Sequence, residues 1–249
     1  MNSPTAFKDH FSGHSVAYVK YRPRYPRQLF AWLAANAPTR DLAVDVATGN
    51  GQAAIALAEF FDGVVATDAS AAQLKAAESR PRVRYHCEPA ERLSLPDASA
   101  DLVVAAQAAH WFDWPAFLSE VRRVLRPGGL LAFWCYGNCE SVPDIDRLFA
   151  DYSRDVVGPY WPRERRHVEE SYRDLSLPFP EVAVPQFAMQ ADWDIEAALG
   201  YLGTWSATQR CRQRTGRDPL PLLAPLMTAA WGPGARQLRW PLVIRAGRR

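Results

Sequence analysis

The stretch DVATGNGQAAIALA, residues 45–58, decides the fold of this chain. It continues the apolar run that begins at Leu42, turns at Gly49 and Gly51, and then becomes rich in alanine. A short apolar run before a glycine turn is typical of a buried strand, and the alanine-rich segment is typical of a helix. A strand, a glycine turn and a helix in this order place free backbone N–H groups at the turn, so a ligand is expected there.

Two ligands are compatible with this turn, and Asp45 separates them. Residues 49–54 match the G-x-G-x-x-A dinucleotide fingerprint, whereas residues 45–51 match the D-x-A-x-G-x-G turn that holds S-adenosylmethionine. The Asp45 carboxylate would repel a pyrophosphate at the helix N-terminus but would attract the methionyl ammonium of S-adenosylmethionine. Asp68, 19 residues after Gly49, can accept the ribose hydroxyls of either ligand. The sequence therefore favours S-adenosylmethionine over NAD.

The composition limits the possible partners. Lys and Arg number 29 against 27 Asp and Glu, so no basic field predicts a nucleic-acid partner. The four cysteines form no C-x-x-C motif, and no histidine lies at metal-ligand spacing from Cys135 or Cys139, so no metal site is expected. The N-terminus has no apolar signal region, and no apolar stretch approaches the ~20 residues that cross a bilayer. We therefore expect a soluble, cytoplasmic protein without a membrane partner.

Apolar runs alternate with helical patterns through the first half of the chain. Strands are predicted at 42–47, 64–68, 83–88, 101–107 and 130–136, and helices at 52–61, 70–79 and 114–126. Such βα units form a parallel sheet with helices on both faces, which defines an α/β class. Every motif lies at a strand end, where ligands bind on such sheets.

The second half predicts a helical cap over these strand ends. An edge strand is expected at 182–190, a closing strand at 238–247, and helices at 196–211 and 220–231. We interpret residues 1–249 as a single domain with four parts: a cofactor-covering segment (1–40), a cofactor-binding core (41–137), a substrate-side cap with an edge strand (138–236), and the final strand and tail (237–249).

Several segments in order resemble those of class I S-adenosylmethionine-dependent methyltransferases, over almost the whole chain. They are YVKYRPRYP (18–26), VDVATGNGQ (44–52), VVATD (64–68), CEPAERLSLPDASADLVVAAQAAHWFD (87–113), FLSEVRRVLRPGGLLAFW (117–134), YWPRERRHVEESY (160–172), GYLGTWSATQR (200–210) and LRWPLVIRAGR (238–248). The chain is similar to the type 11 branch that includes trans-aconitate and related small-molecule methyltransferases. The resemblance implies a Rossmann-like fold with a seven-stranded mixed sheet, helices on both faces and a C-terminal helical cap.

The resemblance also implies which residues hold the cofactor. In it, Ala47 replaces the more common glycine of the first turn position, Asp68 holds the ribose and Ala69 packs on the adenine. The full expected set is Tyr18, Tyr21, Arg22, Asp45, Ala47, Thr48, Gly49, Asn50, Gly51, Asp68, Ala69, Ala90, Glu91 and Gln107. Arg22 is suited to the methionyl carboxylate.

The acceptor side is expected around His110 and Trp111, which follow the fourth strand. His110 can bind a carboxylate or act as the base for a hydroxyl. Candidate substrate-binding residues are Arg24, Trp161, Arg165 and Trp205. Arg165 belongs to the charge run RERRH (163–167), which also contains Arg166 and His167. The expected function is methyl transfer to an oxygen of a small molecule, a carboxylate or a hydroxyl, leaving S-adenosylhomocysteine. An NAD-dependent oxidoreductase and a non-catalytic, regulatory S-adenosylmethionine-binding protein are the alternatives.

Overall fold

A computed structural model describes residues 20–249 and contains one seven-stranded sheet. The strands are β1 (Leu42–Val46), β2 (Gly63–Asp68), β3 (Val83–Cys87), β4 (Ala100–Ala106), β5 (Leu125–Cys135), β6 (Phe187–Trp193) and β7 (Arg236–Arg248). Their order is β3-β2-β1-β4-β5-β7-β6. The pairs among β1 to β5 are parallel, and β7 is antiparallel to both of its neighbours. The predicted seven-stranded mixed sheet is confirmed.

The α-helices cover the sheet and its strand ends. They are α1 (Arg27–Asn36), α2 (Gln52–Leu57), α3 (Ala71–Lys75), α4 (Trp114–Val124), α5 (Pro143–Asp151), α6 (Arg165–Glu169), α7 (Ile195–Gly203), α8 (Ser206–Thr215) and α9 (Leu220–Trp231). Short 3-10 turns lie at Ala109–Trp111 and Gly158–Tyr160, and a π-helical turn at Tyr152–Val156. None of the helices over residues 20–249 is long and apolar enough to cross a membrane.

Alternate residues of the central strands enter two cores, one on each face of the sheet. Val44, Val103 and Leu131 belong to the core that contains the buried side of α4. Ala43 and Leu102, their neighbours along the chain, belong to the other core, with α1, α2 and much of the cap. Because both faces are buried, these strands appear in the sequence as continuous apolar runs.

The parallel strands bring their carboxyl ends to one edge of the sheet. The turn after β1, the end of β2 and the segment after β4 therefore meet there. The residues for which cofactor and acceptor roles were predicted are carried mainly on these loops and on the cap beside them.

The cap differs from its prediction in one helix. The helix expected at 196–211 is two helices, α7 and α8, which break at Thr204 and Trp205. The Thr204 hydroxyl donates to the Tyr201 carbonyl at 2.7 Å, and Arg22 donates to the Thr204 carbonyl at 3.2 Å. Trp205 is extended, with φ −66° and ψ 136°. The hydrogen bond from Arg22, 182 residues earlier in the chain, thus lies at the break between α7 and α8. Local periodicity in the sequence does not predict this break.

Two strand boundaries in this part of the chain also differ. β6 begins at Phe187, two residues after Pro185, because proline lacks the N–H that a ladder needs. It lies at the outer edge of the sheet, as expected. β7 extends to Arg236–Arg248, beyond both ends of the predicted closing strand.

Candidate functional site

The turn after β1 is held in an uncommon backbone conformation. Ala47, Gly49 and Gly51 all have positive φ, at 54°, 60° and 87°. Only glycine adopts this region without steric cost, so Ala47 is the strained member. The backbone N–H of Thr48 donates to the Thr67 carbonyl at 2.8 Å, which fastens the turn to β2.

Asp45 lies beneath this turn and is fully buried. Its Oδ2 accepts a hydrogen bond from the Thr48 hydroxyl at 2.5 Å, whereas its buried Oδ1 has no hydrogen-bond partner among the residues that the structure describes. Burial raises the pKa of Asp45 to about 7, and the hydrogen bond from Thr48 opposes that rise. An unpaired buried carboxylate oxygen is costly, and it is suited to an incoming cationic donor.

Asp68 ends β2 and joins the two cofactor motifs. Its Oδ2 accepts from the Gly49 backbone N–H at 2.9 Å, and its Oδ1 accepts from the Ser70 N–H at 2.8 Å. A carboxylate accepts hydrogen bonds from hydroxyl groups as well as from N–H groups, so the chemistry of this side chain suits ribose hydroxyls.

Tyr85 lies against the glycine turn, although the sequence pattern did not identify it. A Cβ added at Gly51 would lie 2.3 Å from the Tyr85 hydroxyl, so Gly51 is required for space as well as for its φ. Tyr85 reaches the turn from β3, and no local motif marks this contact between distant residues. Its hydroxyl donates to the Glu78 carbonyl at 3.0 Å.

The residues of this region are compatible with S-adenosylmethionine. The buried Oδ1 of Asp45 matches a methionyl ammonium, and the Asp68 carboxylate matches ribose hydroxyls. Of the expected adenine-side residues, Ala90 is buried, and Glu91 accepts from the Asp113 N–H at 2.9 Å. Ala69 lies beside Asp68 and accepts a weak bond from the Cys87 thiol.

A cleft of about 650 Å³, including the space at its mouth, opens at the ends of β4 and β5. Five of the six predicted acceptor-site residues line it together: His110, Trp111, Trp161, Arg165 and Trp205. Arg24 is exposed and does not line it. The cleft is also lined by Tyr136, Asn138 and Tyr201, for which no site role was predicted from the sequence.

His110 is held from the side opposite the cleft. Its Nδ1 lies 2.7 Å from the hydroxyl of Tyr172, which is fully buried. Burial, and then the positive charge of Arg165, lower the pKa of His110 to about 3. His110 is therefore neutral at physiological pH.

Arg165 brings a positive charge into the cleft from α6. Its guanidinium lies over the Trp161 ring at 4.3 Å from the centroid, and Trp161 packs on Trp205 at 5.5 Å between ring centroids. Its ion pair with the exposed Glu169 is long, at 3.5 Å. Arg166, the next residue, is exposed instead. The charge run RERRH is thus divided between the cleft and the solvent.

Arg22 and Gln107 line the cleft but are bound to protein groups. Arg22 donates to the Thr204 hydroxyl and to the Tyr136 hydroxyl, each at 3.0 Å. The Gln107 side chain forms two hydrogen bonds with the Tyr136 backbone, at 2.8 and 3.2 Å. Tyr21 packs against α7 at Gly200.

Tyr18 was also predicted to bind the cofactor, and it lies outside the described residues. Over residues 20–249, no group of metal-ligating side chains is found.

Comparison with known proteins matches the chain to methyltransferases. A family model described as a methyltransferase domain matches residues 44–133, which include the glycine turn and β4. A methyltransferase of Dictyostelium discoideum is 31% identical over 233 residues, covering 92% of this chain and 89% of the relative. An S-adenosylmethionine-dependent methyltransferase of Saccharomyces cerevisiae is 30% identical over 171 residues, covering 64% of this chain and 59% of the relative.

A solved structure extends the similarity to the cap. It is described as a type II methyltransferase from Anaeromyxobacter dehalogenans, is 47% identical, and superposes with a TM-score of 0.85 over 92% of this chain and 98% of the other. The chain belongs to the class I S-adenosylmethionine-dependent methyltransferases. The expected enzyme class is confirmed, whereas the narrower trans-aconitate branch stays a prediction.

Proposed function

We propose that this enzyme transfers a methyl group from S-adenosylmethionine to an oxygen of a small anionic molecule bound in the cleft beside His110. The observation that carries the proposal is the charge of the cleft wall. The Arg165 guanidinium and the Arg22 guanidinium both line it, and none of its lining residues within 20–249 is Asp or Glu. A wall of this charge favours a negatively charged acceptor.

The shape and surface of the cleft support a small, partly apolar acceptor. Trp111, Trp161 and Trp205 contribute aromatic walls, and the buried side-chain oxygen of Asn138 has no hydrogen-bond partner within residues 20–249. Aromatic walls with a few polar groups bind a small organic molecule and orient it. A large polymeric substrate would instead need an extended surface.

The cofactor would be held by the turn around Asp45 and Gly49 and by Asp68. When bound, S-adenosylmethionine supplies a methyl carbon already activated by the sulfonium, so no covalent enzyme intermediate is required. The protein's contribution is to orient the acceptor oxygen and to exclude water. His110 and Arg165 would hold an ionised acceptor, and such an acceptor has no proton to lose.

Thermal unfolding with excess S-adenosylmethionine, S-adenosylhomocysteine or NAD tests the cofactor first. A ligand at 100 times its Kd stabilises by about 2.7 kcal/mol, which shifts Tm by a few degrees. We expect a shift with the two adenosyl ligands only. A shift with NAD alone would restore the dinucleotide interpretation.

Transfer of a radiolabelled methyl group to a panel of small carboxylic acids and matched alcohols tests the acceptor. We expect incorporation into acids. His110→Ala should lower turnover more than it lowers cofactor affinity. Cofactor binding without turnover of any acceptor would favour the regulatory alternative, and incorporation into alcohols alone would contradict the proposed acceptor class.

A further inference from the structure

The buried hydroxyl of Tyr172 faces the inner nitrogen of His110. We infer that Tyr172 is a positioning residue that fixes the tautomer of His110, so that the outer nitrogen, Nε2, carries the proton and acts as a hydrogen-bond donor in the cleft. This inference deepens the proposed function, and its consequence for turnover rests on that function. The hydrogen bond itself does not depend on any acceptor.

The direction of this hydrogen bond follows from burial. The Tyr172 hydroxyl lies 2.7 Å from Nδ1 of His110, and Tyr172 is fully buried. Among residues 20–249, the backbone N–H groups of Ala109 and His110 also face that hydroxyl as donors to its oxygen, and Nδ1 of His110 is the acceptor found for its proton. A buried O–H without an acceptor costs about 1–3 kcal/mol, so the hydroxyl donates to Nδ1. A neutral imidazole that accepts at Nδ1 carries its proton at Nε2.

The consequence concerns what His110 can do for an acceptor. An Nε2–H group can donate to an oxygen of the acceptor, but it cannot remove a proton from it. His110 therefore serves an acceptor that arrives already ionised. The sequence left two roles open for His110. This tautomer supports the role of a hydrogen-bond donor to a carboxylate and argues against the role of a base for a hydroxyl.

The fold holds Tyr172 in a strained turn. Ser171 and Tyr172 have φ of 59° and 55°, a region that residues other than glycine rarely adopt. The Tyr172 N–H donates to the His167 carbonyl at 2.7 Å. From β7, Arg245 donates to the Tyr172 carbonyl at 3.1 Å and also to the Leu175 carbonyl. These bonds fix the backbone that aims the hydroxyl at His110.

The tautomer can be read directly by nitrogen NMR. Long-range proton–nitrogen spectra of protein labelled with ¹⁵N-histidine distinguish protonated from unprotonated ring nitrogens, and His110→Gln identifies the signal among the five histidines. We expect wild-type His110 to show an unprotonated Nδ1 and a protonated Nε2. In Tyr172→Phe the donor is lost, so the two nitrogen shifts should move toward each other as both tautomers are populated.

Tyr152→Phe provides a matched control. Tyr152 is also buried, and its hydroxyl lies 2.9 Å from the Thr208 hydroxyl. This variant loses a comparable buried hydrogen bond but should leave the His110 shifts unchanged. In an assay with an acceptor that the enzyme methylates, Tyr172→Phe should lower kcat/KM about tenfold, the equivalent of one lost hydrogen bond. The Kd for S-adenosylhomocysteine should stay within about twofold of the wild type.

Two results would overturn the inference. One is a wild-type spectrum with the proton on Nδ1, which tests the tautomer even if the variant does not fold. The other is a folded Tyr172→Phe protein that keeps the wild-type nitrogen shifts. Because the spectra need neither cofactor nor acceptor, the expected shifts together with a complete absence of methyl transfer would refute the proposed function and leave the tautomer assignment standing.

Discussion

The backbone N–H of Gly49 donates to the carboxylate of Asp68 over 2.9 Å, which joins the turn after β1 to the end of β2. The other oxygen of the same carboxylate accepts from the Ser70 N–H. One side chain therefore shapes the turn after β1 and closes the second strand, at the position where the ribose of the cofactor is proposed to bind. The structural and the proposed binding roles of Asp68 cannot be separated by deletion alone, so a conservative substitution is more informative.

Asp68→Asn should weaken both the turn and the cofactor site. An amide can accept one of the two backbone N–H bonds, but its NH₂ group would face the second donor. We expect a loss of about 1–3 kcal/mol in the free energy of unfolding and weaker binding of S-adenosylhomocysteine. Urea unfolding and calorimetric titration measure the two effects. Asp62→Asn, at an exposed position just before β2, is the control and should change neither quantity.

The buried carboxyl of Asp45 should make stability depend on pH. Burial raises its pKa to about 7, above its ordinary value of 3.8, with the nearby Asp68 charge adding to the rise. A raised pKa means that the folded state binds the proton more tightly than the unfolded state. The contribution is thus fully present below pH 3.8 and is lost as the pH rises through about 7.

Asp45→Asn isolates this contribution, because the amide does not titrate. Between pH 5 and pH 8 the wild-type protein should lose up to a few kcal/mol relative to the variant, measured by urea unfolding at each pH. His110 titrates with the opposite sign and is common to both proteins, so it cancels. A stability difference that is constant over this range would contradict the assignment. If a cofactor ammonium pairs with Asp45, the affinity of the wild type for S-adenosylhomocysteine should also rise with pH.

The central sheet was predictable because its signals are local. The strands that carry Asp45 and Asp68 are buried on both faces and therefore appear as apolar runs, and the turn between Ala47 and Gly51 has a recognisable spacing. The contacts of Tyr85, Tyr172 and Arg245 are different. Each joins residues that are distant in the sequence, and no periodicity or spacing encodes such a contact.

The charge run RERRH illustrates the same limit. Composition favours a solvated helix face, and Arg166 is indeed exposed. Arg165 lies in the cleft, because the short helix α6 directs successive side chains about 100° apart around its axis. Which of two adjacent arginines faces the cleft depends on where that helix packs, and the tertiary fold decides this.

Ala47→Gly should stabilise the enzyme, although it removes a methyl group. Ala47 has φ 54°, where a Cβ destabilises the folded state by about 1–2 kcal/mol. The greater conformational freedom of glycine in the unfolded chain offsets about 0.4–1 kcal/mol of the gain from removing that Cβ. We expect a net gain of several tenths of a kcal/mol to about 1 kcal/mol in urea unfolding. Ala53→Gly, in the first turn of α2, should instead lose up to about 1 kcal/mol. Equal losses in both variants would show that Ala47 is not strained.

Arg165 should control the affinity for an anionic acceptor without affecting the cofactor. Its guanidinium lies over Trp161, and its ion pair with Glu169 is long. Arg165→Gln removes the charge but keeps a side chain of similar reach, so the KM for the acceptor should rise about 10- to 100-fold, the equivalent of a charge-assisted hydrogen bond. Arg165→Lys keeps the charge but loses the planar fork, and should give an intermediate KM.

Arg166→Gln is the matched control, since it removes the same charge one residue away at an exposed position. Because exposed charges are screened by solvent and salt, its KM should stay within about twofold of the wild type. Added salt should change this KM little. Equal increases in KM for the two glutamine variants would mean that the whole run attracts the acceptor as a diffuse field. An increase confined to Arg165→Gln would mean that the acceptor contacts this guanidinium in the cleft. In both cases the Kd for S-adenosylhomocysteine should be unchanged, because Asp45 and Asp68 are left intact.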